Sequence, residues 1–276
     1  MCSNYEAVTR ADRLLSFFGV VRESDEGPII AWPVGLAPFI RLAEDGSGNR
    51  QIHDGHFGLV PGYVREVAYG RKTYNAKSET VHKLPSYRSA WRLGQRCIIP
   101  AEGIYEQYYE SADAKPVRWR IQQPGEIPFA IAGIWEKYTE TTTGKEVFSF
   151  SMLTVNADDH PVMSRFHRPG DERRMVIFLD PQEQDEWLTC RPDQARKFFK
   201  QWHGQLDTFP APLPPRAPTT KKAVDKKPTA ASDPTPELWE REEPPAPKKL
   251  RKAPKARTPP VPSDPPSPPI QRGFFD

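Results

Sequence analysis

An α+β domain over residues 2–204, rich in strands, with curved antiparallel or mixed sheets and flanking helices, is predicted by three features of this sequence. Short apolar runs recur between Pro and Gly breakers from Ile29 onward. Helical periodicity is confined to a few short stretches, and the composition changes abruptly after Gly204. Of the 32 prolines, 19 lie between Pro210 and Pro269. Residues 205–276 carry 13 Lys+Arg against 9 Asp+Glu, which leaves 26 against 27 in residues 1–204. The mild basicity therefore belongs to the tail, and any nucleic-acid site on the body must be a local cluster of basic side chains.

The elements follow in order. Thr9 to Phe18 reads as a short helix, with Thr9 as N-cap, Leu14, Leu15 and Phe18 on one face and Gly19 at its stop. From Ile29 to about Tyr69, apolar runs separated by Pro33, Pro38, Gly46–Gly48 and Pro61 predict strands and turns. Tyr87 to Leu93 suggests a further short helix, and Cys97–Ile99 a buried strand. Phe129 to Trp135 and Phe148 to Val155 read as two strands, and the polar stretch Glu140 to Lys145 has the composition of a hairpin loop. Met175 to Leu179 gives another strand. Asp180–Pro181 then starts a helix, with Pro at its first position, that runs to about Thr189. A last helix is predicted from Pro192 to Trp202. Residues 205–276 bury too little apolar surface to offset their ordering entropy and are read as disordered.

Three cysteines, Cys2, Cys97 and Cys190, with no CxxC pair, argue against a disulfide framework and a thiolate zinc site. No metal or other cofactor is expected. No apolar run approaches the ~20 residues that cross a bilayer, and no secretory signal is visible. A cytoplasmic monomer is the expectation.

Cys2 carries the first chemical clue. An initiator methionine is generally removed ahead of a small second residue, and removal would leave a 1,2-aminothiol. An α-amine titrates near ~8, against ~10.4 for lysine, so much of it is neutral and nucleophilic at cellular pH. The amine can form a Schiff base with an aldehyde, and the neighbouring thiol can then close a five-membered thiazolidine in an effectively intramolecular step. Three further segments stand out. Thr73 to Glu79 (TYNAKSE) offers Asn75 in a polar stretch. Cys97 to Gln107 (CIIPAEGIYEQ) sets Glu106 after a buried strand and a turn at Gly103. Leu153 to Leu179 holds His160 and His167 in a loop between two strands, with Arg165 and Arg168 beside His167.

The Cys start, the NA[RK]xE segment, the CxxPAxGxYE segment and the loop histidine before a late strand together resemble the SRAP family of abasic-site-crosslinking proteins, over nearly all of residues 2–190. The resemblance implies an SRAP-like domain that senses abasic sites in single-stranded DNA and forms a thiazolidine crosslink through Cys2. In that reading Asn75 holds the terminal amine, Glu106 transfers protons and His167 contacts the opened sugar, with His160 as the competing histidine. The sequence departs from the usual pattern at Ser3–Asn4, at Phe57, at Lys77, at Gln107 and at residues 169–173, which lengthen the histidine loop.

For DNA contact, Lys77, Arg88, Arg165 and Arg168 are the expected phosphate ligands, with Phe57 or Tyr63 as stacking surfaces. In the tail, Gln271, Phe274 and Phe275 resemble a bacterial sliding-clamp-binding peptide, and Lys248 to Arg257 could attract DNA through charge alone. Two other classes remain open: a cysteine peptidase using Cys2 as an N-terminal nucleophile, for which the sequence shows only Met1 as a propeptide, and a non-enzymatic adaptor working through its tail.

Overall fold

The computed structural model describes residues 2–214 except 24 and 28. The expected clamp peptide and the basic run Lys248 to Arg257 lie outside the described residues. In chain order the elements are β1 (Asn4–Ala7), α1 (Ala11–Phe18), β2 (Ile29–Ala31), β3 (Leu36–Leu42), β4 (Arg50–Phe57), β5 (Asn75–Lys77), α2 (Arg88–Arg92), β6 (Arg96–Tyr108), β7 (Val117–Gln122), β8 (Phe129–Thr139), β9 (Glu146–Asn156), β10 (Arg174–Val176), β11 (Phe178–Leu179), α3 (Gln184–Thr189) and β12 (Asp207–Pro210).

The strands close on themselves. β6 pairs with β8, β8 with β9, β9 with β4, β4 with β3, and β3 returns to β6 through Ile40 and Ile98. Closure removes the unpaired edges of these central strands. Most pairings are antiparallel, whereas β4 and β5 both run parallel to β9, so the sheet is mixed as predicted. Aromatic side chains fill the interior: Tyr5 meets Phe57 edge-on at 5.2 Å between ring centres, and Phe57 stacks on Phe150 at 5.7 Å.

Two backbone features set the position of β5. Gly58, at φ +128°, lies against Gly70, and a Cβ there would sit 2.2 Å from the Gly70 carbonyl oxygen. Only glycine permits that approach. The Leu59 N–H then donates to the Thr73 carbonyl, which folds the connection back so that Asn75 arrives beside Met152 of β9.

The structure corrects several expectations. Arg10, not Thr9, stands at the N-cap of α1, and the Thr9 hydroxyl donates instead to the Glu26 carbonyl at 2.9 Å. Met175 to Leu179 is divided into β10 and β11, because the Ile177 N–H turns to Leu153 while its carbonyl accepts from Ala132. Pro192 to Trp202 forms only a 3-10 turn at Ala195–Phe198. Phe198 packs on Trp187, Phe199 on Trp91 and Trp202 on Phe129 and Phe178, and the backbone leaves the helical region at Phe199 (φ −80°, ψ 64°) as these rings take their separate partners. The ordered chain also runs past Gly204, since Asp207–Pro210 pairs with β7 as β12.

Candidate active site

Cys2 lies just ahead of β1, which pairs antiparallel with β6 so that Asn4 stands opposite Tyr105. It is buried, and its thiol donates to the Asn4 carbonyl at 3.3 Å. Burial, then the Glu106 carboxylate, push this thiol well above the ordinary range. The sulfur is therefore held as a neutral thiol at cellular pH. Asn75, first residue of β5, donates its Nδ2–H to the Cys2 carbonyl at 2.8 Å. Its Oδ1 is buried and has no hydrogen-bond partner among the described residues. Asn75 therefore uses its Nδ2 on the Cys2 carbonyl, which the short lead ahead of β1 presents to the amide, and keeps its Oδ1 as an unused acceptor.

Glu106 does not follow a strand and turn, as expected, but sits inside β6, opposite Trp119 of β7. Gly103 is a strand residue as well. A Cβ there would meet the Arg120 side chain and the Ile121 carbonyl at 3.1 Å, so this glycine marks close approach of β7 to β6. Alternation along β6 turns Glu106 to the same face as Ile104, toward the interior, and its side chain is 2% exposed. The same strand holds the histidine loop. The His167 N–H donates to the Gln107 carbonyl at 2.8 Å, and Phe166 forms an isolated bridge with Tyr108. His167 takes φ +74°, a conformation uncommon outside glycine and stabilised here by that bond and by the buried Phe166.

His167 and Glu106 form a coupled pair. The ring Nε2 lies 3.0 Å from the Arg174 carbonyl, which can only accept, so Nε2 carries a hydrogen. Nδ1 then faces Glu106 Oε2 at 3.3 Å. Two bare lone pairs would repel, so one proton resides between carboxyl and imidazole. Burial lowers the His167 pKa, opposed by Glu106. Tyr74 joins this corner: burial raises its hydroxyl pKa, with Cys2 and then Glu106 adding to the effect.

An open cleft of about 390 Å³ reaches the pair, lined among others by Tyr74, Lys77, Gln107, Tyr109, Arg168 and Arg174. Lys77 and Arg168 thus share the cleft with Glu106 and His167. Arg165 and Arg88 are exposed but do not line it; Arg165 lies over the Trp119 ring at 5.8 Å. Tyr63 is also exposed and outside the lining. Phe57 is corrected from a stacking surface to a core residue, with no exposed area and rings of Tyr5, Tyr74 and Phe150 around it. His160 is committed elsewhere: Nδ1 accepts from the Val162 and Met163 N–H groups, and Nε2–H donates to the Trp202 carbonyl. Among the described residues no group of His, Cys, Asp and Glu could hold a metal.

The SOS response associated peptidase (SRAP) family matches residues 1–211. The chain belongs to this family. It is 28% identical over 207 residues to the abasic site processing protein YoqW of Bacillus subtilis, covering 72% of this chain and 87% of that protein. It is 25% identical to the abasic site processing protein HMCES of Gallus gallus, covering 64% of this chain and 56% of that protein. A crystal structure of a Bordetella bronchiseptica protein superposes with a TM-score of 0.69 at 34% identity, covering 77% of this chain and 100% of the other. A Bacteroides thetaiotaomicron structure, at 22% identity and TM-score 0.63, covers 76% of this chain and 91% of its own and shares the fold.

Sequence reasoning missed Tyr74, Tyr109, Glu172 and Arg174. Tyr74 stood one residue before Asn75 in a segment already singled out. Arg174 carried no signal beyond its place before an apolar strand.

Proposed function

We propose that this SRAP protein captures abasic sites in single-stranded DNA as a covalent thiazolidine, through the amine and thiol of Cys2 once Met1 is removed. The observation that carries the reading is the convergence of Cys2, Asn75, Glu106 and His167 from four separate segments on one corner beside an open cleft. The names of the SRAP relatives support the substrate class.

The chemistry follows from the geometry. A buried thiol held protonated is a poor first nucleophile, so the neutral amine attacks the C1′ aldehyde of the opened sugar. The carbinolamine loses water to give an imine. The sulfur then adds to the imine carbon, its proton passes to the nitrogen, and the ring closes; the sum is one water released. Each step moves a proton, and the Glu106–His167 pair can supply and recover one. With Nε2 held by the Arg174 carbonyl, His167 exchanges protons through Nδ1, on the Glu106 side. The orphaned Asn75 Oδ1 is an acceptor suited to an N–H of the mature amine.

The protein with Met1 removed, mixed with a single-stranded oligonucleotide bearing one abasic site, is expected to give an adduct that survives heat and denaturant. The same oligonucleotide with its aldehyde reduced to an alcohol should give none. Equal adduct from the reduced strand would remove the carbonyl from the mechanism and end the proposal.

A further inference from the structure

The loop between His167 and β10 places a carboxylate where the cleft has its cations. Glu172 is 41% exposed, and its Oε2 accepts from Lys77 Nζ at 2.5 Å while its Oε1 accepts from Arg174 Nη1. Arg174 is 2% exposed. Its Nε donates to Thr154 Oγ1 at 3.0 Å, and its Nη2 to the Thr154 carbonyl at 2.7 Å and to Glu79 Oε2 at 2.8 Å. The guanidinium is therefore fixed, with Nη1 turned toward Glu172 and, at 3.3 Å, Glu79. The two cations, Lys77 and Arg174, are balanced by two anions, Glu79 and Glu172. In this arrangement the cluster offers no net attraction to a phosphate.

We propose that Glu172 is a displaceable stand-in for a DNA backbone phosphate, each of its oxygens occupying one cation that a phosphate's two non-bridging oxygens would take. This rests on the reading of single-stranded DNA as the partner. Glu172 is suited to leave, because it is exposed and lies in the loop between His167 and β10, whereas Arg174 is locked by Thr154 and Glu79. When Glu172 swings out the cluster becomes singly positive, with Lys77 Nζ and Arg174 Nη1 both facing the cleft. Binding a strand must break this internal pair first, so weakly held nucleic acid is disfavoured until a phosphate is seated beside Glu106 and His167. Glu172 thus acts on selectivity for the seated strand and takes no part in the bond-forming steps.

Equilibrium binding of an undamaged single-stranded oligonucleotide, measured across a salt series, tests this. E172Q is expected to bind about three- to fivefold more tightly at low salt, the range an exposed ion pair supports. Its plot of log affinity against log salt should steepen by up to about 0.7, because the wild type exchanges the Glu172 ion pair for the phosphate contact whereas E172Q gains that contact outright. Lys77→Gln should weaken binding more in the E172Q background than in the wild type. Unchanged affinity and slope in E172Q, or equal Lys77→Gln effects in both backgrounds, would overturn the stand-in and make the contact a structural staple. A parallel arm with an abasic strand separates the two readings. Wild-type protein that crosslinks while E172Q shows no binding change sinks only the role of Glu172, whereas absence of both binding and crosslinking sinks the DNA reading as well.

Discussion

Glu106→Gln is expected to slow adduct formation by about 10²- to 10⁴-fold, the usual contribution of a positioned acid–base group. The side chain is buried on β6 and faces His167, and glutamine conserves its volume while removing its ability to gain and release a proton. Dehydration of the carbinolamine and transfer of the sulfur's proton both need that ability. Single-turnover rates with an abasic oligonucleotide measure the effect, and binding of an undamaged strand serves as the control that the cleft is intact. A rate within about twofold of the wild type, with unchanged binding, would show that Glu106 does not move a proton on the path.

The second large effect concerns sulfur. Cys2→Ser keeps the terminal amine after Met1 removal, so the imine can still form. A hydroxyl is a much weaker nucleophile toward the imine carbon than sulfur, so ring closure fails and the imine hydrolyses on denaturation. Cys2→Ser is expected to lose the heat-stable adduct entirely, and to recover a covalent product when borohydride is present to reduce the imine. A heat-stable adduct equal to that of the wild type, without reductant, would remove the thiol from the mechanism.

How much of this was legible in the sequence varied with the kind of signal. The β8–β9 hairpin was readable because two apolar runs flank a polar, glycine-bearing loop. The turn that leads into α3 was readable because Asp180 caps it reciprocally with Glu183 and Pro181 follows. Gly103 misled because glycine marks both turns and close strand approach, and only the neighbouring β7 distinguishes them. Phe57 misled because an aromatic at the end of a strand looks alike whether it meets a base or Phe150. The final aromatic-rich segment looked helical by local propensity, yet its rings pack on separate partners. Residue types and order singled out Cys2, Asn75, Glu106 and His167, and the fold brings Asn75 to Cys2 and His167 to Glu106. The partner that Asn75 takes, the tautomer of His167 and the ion pair of Glu172 depend on contacts from 73, 7 and 95 residues away, which no local pattern encodes.

The most direct test is an intact-mass and fragmentation analysis of the protein–oligonucleotide product. The expected product is one water lighter than the sum of the Met1-less chain and the abasic strand, with the attachment mapped to residue 2 and stable without reductant. Attachment through a lysine such as Lys77, or a product that still carries Met1, would contradict capture of the sugar aldehyde by the aminothiol of Cys2.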